Sequence, residues 1–520
     1  MAFARVACRA QVGLSAPLVH VEVSLASGLP TFAIVGLPAM VVREARERVR
    51  AALLNSQFEF PAGRITVNLA PADLPKEGGR FDLPIALGVL LASGQVKLTA
   101  SSARATPREF YGELGLTGEL KAVRGLLPAA AQARRAGHEL IVPRANAAEA
   151  CAVAAHLVRA ADHLLEVCAH VTGTRALPAG RASAGARTQP ARTSCAPLDL
   201  ADVRGQAHAK RALTIAAAGA HSLLMIGPPG CGKSMLAQRL PGLLPPLSAA
   251  EALEVAAIAS VSAAGFRHES LTERPFRAPH HSSSAPALVG GGTRARPGEI
   301  SLAHRGVLFL DELAEFARPV LEALREPLET GVISVARAAL TTQYPAQFQL
   351  VAAMNPCPCG GLGDPAGRCR CTLESVRRYR ARVSGPLLDR LDLQIELPPV
   401  EAAEFDAAPD TGAASAAAAA AVGRARELQR ARQGTCNARL ADAGVHRWCV
   451  PDQAGRRILE AAMQRLRLSG RARQRVLKVA RTIADLDGRP TAGAREVSEA
   501  VMLRCLDRAA DYGTTRPGAP

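Results

Sequence analysis

The chain has 520 residues, room for about three domains of ~100–200 residues each. Apolar residues make up 48% and charged residues 21%, which supports a packed core and excludes wholesale disorder. Lys and Arg number 63 against 46 Asp and Glu, a net charge of +17 that favours a polyanionic partner such as nucleic acid, whereas 3% aromatic residues argues against a base-stacking platform.

No uncharged apolar stretch of about 18 residues occurs outside an alanine run, so no transmembrane helix is expected. Residues 1–9 lack the continuous apolar region of a secretory signal, and a cytoplasmic placement follows. There are 12 cysteines, which in such a chain do not suggest a disulfide framework. Most are scattered, but Cys357, Cys359, Cys369 and Cys371 are clustered.

Residues 1–170 alternate strand-like and helix-like patterns, as an N-terminal α/β domain does. The spacing predicts a strand over 19–25, an amphipathic helix over 41–55, a strand over 64–69 and an apolar helix over 83–93. Residues 171–197 turn to Ala, Gly, Arg, Thr, Pro and Ser without apolar periodicity and read as a linker. Residues 198–400 are strands and helices punctuated by Gly and Pro, an α/β core. A second break falls at 410–415. The alanine run 416–421 reads as a helix with Ser415 as its N-cap, because Ala is the best helix former. Residues 401–510 are helical in pattern, and 511–520 form a loose tail.

A buried strand over 222–226 runs into Gly227, Pro228, Pro229, Gly230, Cys231, Gly232, Lys233 and Ser234, and a helical pattern follows. This is G-x-x-x-x-G-K-S in its strand–loop–helix context. The glycines let backbone N–H groups cradle phosphates, and the helix N-terminus adds its positive dipole end. Lys233 would reach the β and γ phosphates of ATP, and Ser234 would offer its hydroxyl to Mg²⁺. A second apolar strand ends in Asp311 and Glu312, which suits Mg²⁺ ligation through water by Asp311 and polarisation of the attacking water by Glu312. Asn355 ends the next strand, where it suits a γ-phosphate or water contact; the alternative is a turn residue before Pro356. Arg390 precedes a further strand and could reach a phosphate in a neighbouring subunit, or lie at the surface.

These elements, in this order, resemble the AAA+ ATPases. The strings His280-His281-Ser282-Ser283-Ser284, Leu288-Val289-Gly290-Gly291-Gly292, Pro297-Gly298-Glu299-Ile300-Ser301-Leu302-Ala303-His304 and Ala480-Arg481-Thr482-Ile483-Ala484-Asp485-Leu486 resemble the magnesium-chelatase-like ATPases of the YifB/ComM type. The resemblance covers nearly the whole chain. It implies an AAA+ P-loop core, an N-terminal Lon-protease-like α/β domain and a C-terminal helical lid. It implies Asn355 as sensor 1, Arg390 as arginine finger and Arg471 as sensor 2. It also implies a hexameric, ATP-dependent helicase that promotes DNA branch migration in natural transformation. The alternative is a chelatase-like ATPase that remodels a protein or drives metal insertion.

The protease resemblance lacks its chemistry. Lys76-Glu77-Gly78-Gly79-Arg80-Phe81-Asp82 stands where a protease would carry its Ser, and Leu127 where it would carry its Lys, so a non-proteolytic domain is expected. The hairpin ahead of sensor 1 resembles one that faces the ring pore, with Arg337 as DNA-contact candidate; a solvated tip is the alternative. Arg274, Arg277, Arg294 and Arg296 are further candidates, in a stretch that the clade's insertion would occupy. The four clustered cysteines, as two C-x-C pairs on a Gly-rich segment 357–371, suit a structural Zn²⁺ site, with free thiols or a redox pair as alternatives.

Overall fold

Alternation buries Val19, Val21 and Val23 of the strand Leu18–Ala26, an interior strand of a mixed sheet. A computed structural model describes residues 2–98, 106–180, 198–267, 271–292, 295–337, 340–363, 367–399 and 414–508. The sheet's seven strands run in the order Thr31–Val35, Arg64–Ala70, Leu18–Ala26, Ala2–Arg9, Arg108–Phe110, Glu139–Pro143 and Val158–Ala161. Leu18–Ala26 pairs antiparallel with both neighbours; the outer pairings are parallel. Helix Asp82–Ala92 is buried almost all round. Its Gly88 lies so close to Val23 that a Cβ there would meet Val23 Cγ2 at 2.6 Å.

This N-terminal fold continues into the expected linker. Leu177 is buried in its core, and Ala179 bridges Arg159. The low-complexity stretch thus starts its structural life as part of the domain; residues 181–197 lie outside the described residues.

The second sheet is all parallel, in the order Phe276–Arg277, Val307–Leu310, Gln349–Met354, Leu223–Ile226 and Leu393–Glu396. Its central strands are apolar on both faces because helices cover both. The loop strand Leu223–Ile226 lies between the strand that ends before Asn355 and the strand that follows Arg390. A short antiparallel pair, Gly290–Gly291 with Arg296–Pro297, interrupts the run to Val307–Leu310. The expected hairpin forms from Val332–Arg337 and Leu340–Pro345.

Helices Ala414–Gln433, Asp442–Trp448, Gln453–Leu466, Gly470–Leu486 and Ala494–Met502 pack on this core through Val422, Ala425, Val476, Ala480 and Ile483. The expectation for Ser415 is corrected here. The helix already includes Ala414, so Ser415 lies inside it; its Oγ instead accepts the Leu200 N–H at 2.7 Å, tying the helix to the start of the core. Tail residues 511–520 lie outside the described residues. The N-terminal fold docks on helix Ala249–Val261: Leu127 and Val153 pack against Ala256, and the Gly125 N–H donates to Ser260 O at 3.0 Å. No helix among the described residues is long and apolar enough to cross a membrane.

Candidate functional site

The chain leaves the central strand at Gly227 and turns through Gly230 (φ +81°) and Gly232 (φ +93°), conformations that side chains rarely adopt. Helix Lys233–Leu243 then starts, presenting its N-terminal N–H groups to the loop. Lys233 is 9% exposed. Its Nζ donates to Gly227 O at 2.6 Å, Pro228 O at 2.8 Å and Asn355 Oδ1 at 3.3 Å. Burial pulls its pKa below the ordinary lysine range. Cys231 is buried beneath the loop, with its Sγ 3.9 Å from Nζ.

Two strands away, Asp311 Oδ2 accepts from Ser234 Oγ at 2.7 Å. A hydroxyl and a carboxylate brought together beside a phosphate cradle are a hard-oxygen set suited to Mg²⁺. Glu312 takes a left-handed backbone (φ +54°), which aims its half-exposed side chain away from the strand. Its carboxylate pairs with His281 Nδ1 at 2.8 Å. The His281 ring lies 4.1 Å from that of His280 and edge-on to Phe316. The role of His281 was missed in the sequence: the doublet stands out as a string, but nothing local says which carboxylate it faces.

Asn355 leads directly into the cysteine segment. The Sγ atoms of Cys357, Cys359 and Cys369 are 3.4–3.8 Å apart, and the Sγ of Cys371 joins them within 4.8 Å. Four thiolates at a Zn–S distance of ~2.3 Å would be about 3.8 Å apart in a tetrahedron, so this donor set fits Zn²⁺. The Gly361 N–H and the neighbouring thiols pull Cys359 down to about 6, toward the thiolate that a metal needs. Gly360 (φ +76°) sits on the phosphate loop: a Cβ there would meet Pro229 Cδ at 2.7 Å. The cysteine segment and the phosphate loop are therefore packed as one unit.

Arg390 and Arg471 lie elsewhere. Arg390 is 8% exposed, pairs with Glu329 and donates to Pro386 O at 2.7 Å. With Arg471, Arg475, Lys478, Glu329 and Asp389 it lines a cavity of about 150 Å³. Ser222, at the foot of the loop strand, donates to Arg390 O at 3.1 Å. Asp392, two residues on, accepts from the Ser222 N–H at 3.2 Å and pairs with His221 and Arg475. Burial would raise the Asp392 pKa, but the Arg475 charge and the hydrogen bond with His221 hold it far below the usual carboxylate range. All these groups cluster where the parallel strands begin, whereas the phosphate loop leaves where they end. Four strand residues at ~3.3 Å each separate the two edges by about 13 Å. Arg390 and Arg471 thus share one surface, opposite the chain's own nucleotide cradle.

The arginines expected on pore elements separate into distinct roles. Arg274 is buried and donates to Pro245 O and Arg305 O, and Arg277 makes a two-pronged pair with Glu299, so neither is a free DNA contact. Arg296 lies in the short antiparallel pair and lines a cavity of about 320 Å³ beside Gly79 and Arg80. Arg337 ends its strand opposite Leu340, at the hairpin tip; Arg294 lies outside the described residues. At the positions of the absent protease pair, Arg80 is buried and donates to Gln11 Oε1 at 2.9 Å, and Leu127 is in the apolar dock with Ala256.

Residues 199–405 match the family described as magnesium chelatase, subunit ChlI; residues 21–146 match subunit ChlI of Mg-chelatase, and residues 412–504 its C-terminal family. The chain is 49% identical over 514 residues to competence protein ComM of Haemophilus influenzae, covering 98% of each chain. It is 49% identical over 508 residues to YifB of Salmonella typhimurium, again 98% of each. Similarity to the magnesium-chelatase 38 kDa subunit of Cereibacter sphaeroides is 28% over 177 residues, 31% of this chain and 53% of that one.

Proposed function

The chain belongs to the YifB/ComM-type magnesium-chelatase-like ATPases of the AAA+ class, and from that premise we propose that it is a ring-forming, ATP-driven DNA translocase that promotes branch migration of incoming DNA during natural transformation. The observation that carries this reading is the placement of Arg390 and Arg471 on the sheet edge opposite Lys233. Those cations face away from the subunit's own phosphate loop, which supports a role at a neighbour's phosphates, and head-to-tail contacts of that kind close into rings, here of six. The net charge of +17 supports a polyanion in the pore. The name of the Haemophilus relative supports a role in competence.

ATP with Mg²⁺ supplies the phosphoryl group and the cation that neutralises its charge. Lys233 would exchange its loop carbonyls for the β and γ oxygens, and Ser234 and Asp311 would hold the cation. Glu312 leaves His281 to take a proton from water, and Asn355 orients that water. Arg390 and Arg471 of a neighbour stabilise the charge that develops. Cys357, Cys359, Cys369 and Cys371 would hold Zn²⁺, which would brace the segment on the phosphate loop. Residues 1–170 form a Lon-like domain without peptidase activity. Arg337 touches DNA phosphates at the pore, without base preference.

The 38 kDa chelatase subunit's similarity favours a second reading, a motor that remodels a protein or drives metal insertion. One experiment separates them: ATPase rates with single-stranded, duplex and branched DNA, alongside strand movement on a labelled four-stranded junction. DNA stimulation and strand movement that require Glu312 support the translocase. Neither effect, with the ATPase intact, moves the assignment to protein remodelling.

A further inference from the structure

Five guanidinium groups converge beneath the core, away from the phosphate loop. Arg274, Arg305, Arg426, Arg430 and Arg439 line a cavity of about 120 Å³ in which Glu251 is the one carboxylate among the described residues. The cavity lies where the strands begin: Gly306 and Gln349 form its roof. Helix Ala414–Gln433 brings Arg426 and Arg430 from the C-terminal region, while Arg274 and Arg305 belong to the core.

Two carboxylates, Glu251 and Glu254, face these five arginines, and the buried Arg274 and Arg426 have no carboxylate within hydrogen-bond reach. Arg274 has a side chain only 7% exposed; its Nε donates to Pro245 O at 2.6 Å and its Nη1 to Arg305 O at 2.5 Å. Its Nη2 is buried without an acceptor, and Glu251 Oε2, at 3.9 Å, is beyond hydrogen-bond reach. Arg426 is 6% exposed and spends both Nε and Nη2 on Ala217 O. Arg305 pairs with Glu254 through Nε at 2.9 Å and lies 3.7 Å from Glu251, Arg439 donates to Gln347 Oε1 at 2.7 Å, and the exposed Arg430 has no side-chain hydrogen bond among the described residues. Elsewhere in the chain buried arginines meet carboxylates directly, as Arg9 does Glu109 and Arg481 does Asp485. Burial and the Arg426 charge press the Arg274 pKa down to about 10. A guanidinium does not shed its proton at neutral pH, so this cluster calls for negative charge.

Water could satisfy the Arg274 Nη2 donor and the unpaired Gln349 Oε1 acceptor, but water brings no charge. The cavity is also far larger than the ~10–15 Å³ that one water needs. Guanidinium forks match the oxygen spacing of phosphate.

We propose that this cavity is a second anion site, separate from the nucleotide cradle, that takes a phosphate-class oxyanion: either free phosphate or pyrophosphate, or a backbone phosphate of nucleic acid. Bound there, the anion ties the C-terminal helix to the core, since each side supplies part of the lining.

The test uses the full chain saturated with Mg·ADP, so that the phosphate loop is filled. Inorganic phosphate, pyrophosphate and a short single-stranded oligonucleotide without terminal phosphate are titrated separately by calorimetry at fixed ionic strength, and melting temperature is followed in parallel. Arg430 is exposed, so Arg430→Gln leaves the fold intact, which its unliganded melting temperature checks. Loss of one charge-assisted contact should weaken binding about 10–100-fold, and Arg430→Lys should recover part of it. Weakened phosphate or pyrophosphate binding in Arg430→Gln identifies a free-anion site. Weakened oligonucleotide binding alone identifies a backbone-phosphate site. If all three probes bind wild type and Arg430→Gln equally, or none binds wild type, the cavity holds only water and the proposal is overturned.

Discussion

The Glu312 carboxylate lies 2.8 Å from His281 Nδ1, so the group proposed to activate water is held by a histidine 31 positions earlier (312 − 281). A base engaged in this way is unavailable to water until the pair opens. With Glu312 in its proposed role, the pair would tie hydrolysis to whatever moves the segment around His280 and His281. Glu312→Gln should keep ATP binding and lower kcat at least ~100-fold, the scale of a lost general base. His281→Ala should raise the DNA-independent ATPase rate several-fold and flatten its dependence on DNA. An unchanged basal rate in His281→Ala, with nucleotide affinity intact, would show that the pair does not hold back the base.

Arg390 and Arg471 share a cavity on the edge opposite Lys233, which makes a mixing experiment decisive. Lys233→Ala should abolish ATP binding, and Arg390→Ala should lower hydrolysis ~10³-fold with ATP affinity nearly unchanged. Alone, the Lys233→Ala protein should not hydrolyse ATP and the Arg390→Ala protein should do so only at that residual rate. In a mixed ring, a Lys233→Ala subunit can still lend its Arg390 to a neighbour whose own cradle is intact. Partial recovery of activity on mixing is expected. No recovery, despite assembled mixed rings, would mean that Arg390 serves its own subunit.

The cysteine set makes an analytical prediction. Protein prepared without chelator should carry one Zn²⁺ per chain, and Cys357→Ser or Cys369→Ser should release it. Because Gly360 packs on Pro229, metal loss should also weaken ATP binding, not merely lower the melting temperature. Zinc retained after all four cysteines are replaced would place the metal elsewhere.

What the sequence made legible follows from how local each signal is. The phosphate loop is readable because strand, glycines, Lys233 and Ser234 are contiguous and their chemistry demands that spacing. Helix Met40–Asn55 and strand Arg64–Ala70 are readable from periodicity alone. Strands Arg108–Phe110 and Val158–Ala161 are too short to show a period, so the seven-stranded sheet could not be assembled from pattern. Ser415 looked like a cap because it precedes an alanine run; a tertiary bond to Leu200 uses it instead. The five-arginine cavity had no sequence signature at all, since its members come from segments that only the packing of the C-terminal helices brings together. Arg274 and Arg277, DNA-contact candidates because they lie in the stretch that the insertion would occupy, are absorbed by backbone carbonyls and by Glu299.

The last prediction concerns pH and rests on His304, the final residue of the string that begins at Pro297. Its side chain is 2% exposed. Its Nδ1 accepts the Gln347 N–H at 3.0 Å, and its Nε2 lies 3.1 Å from Glu254 Oε2. Accepting at Nδ1 fixes the neutral tautomer with the proton on Nε2, directed at Glu254. Burial lowers its pKa from 6.5 to about 4; Glu254 opposes the shift, and the Arg305 and Arg439 charges reinforce it. The unfolded chain therefore binds a proton here below pH 6.5 that the folded chain refuses until about pH 4. The sign follows: this stability is complete above pH 6.5, falls as pH drops, and is spent near pH 4. The slope is at most about 1.4 kcal/mol per pH unit, and the whole effect is roughly 3 kcal/mol. Urea unfolding of wild type and His304→Gln at pH 7 and pH 5 measures it. Gln keeps an acceptor for the Gln347 N–H and a donor for Glu254 but does not titrate. The variant should lose less stability than wild type between the two pH values. Equal losses in the two proteins would show that His304 is already protonated in the folded chain at pH 5.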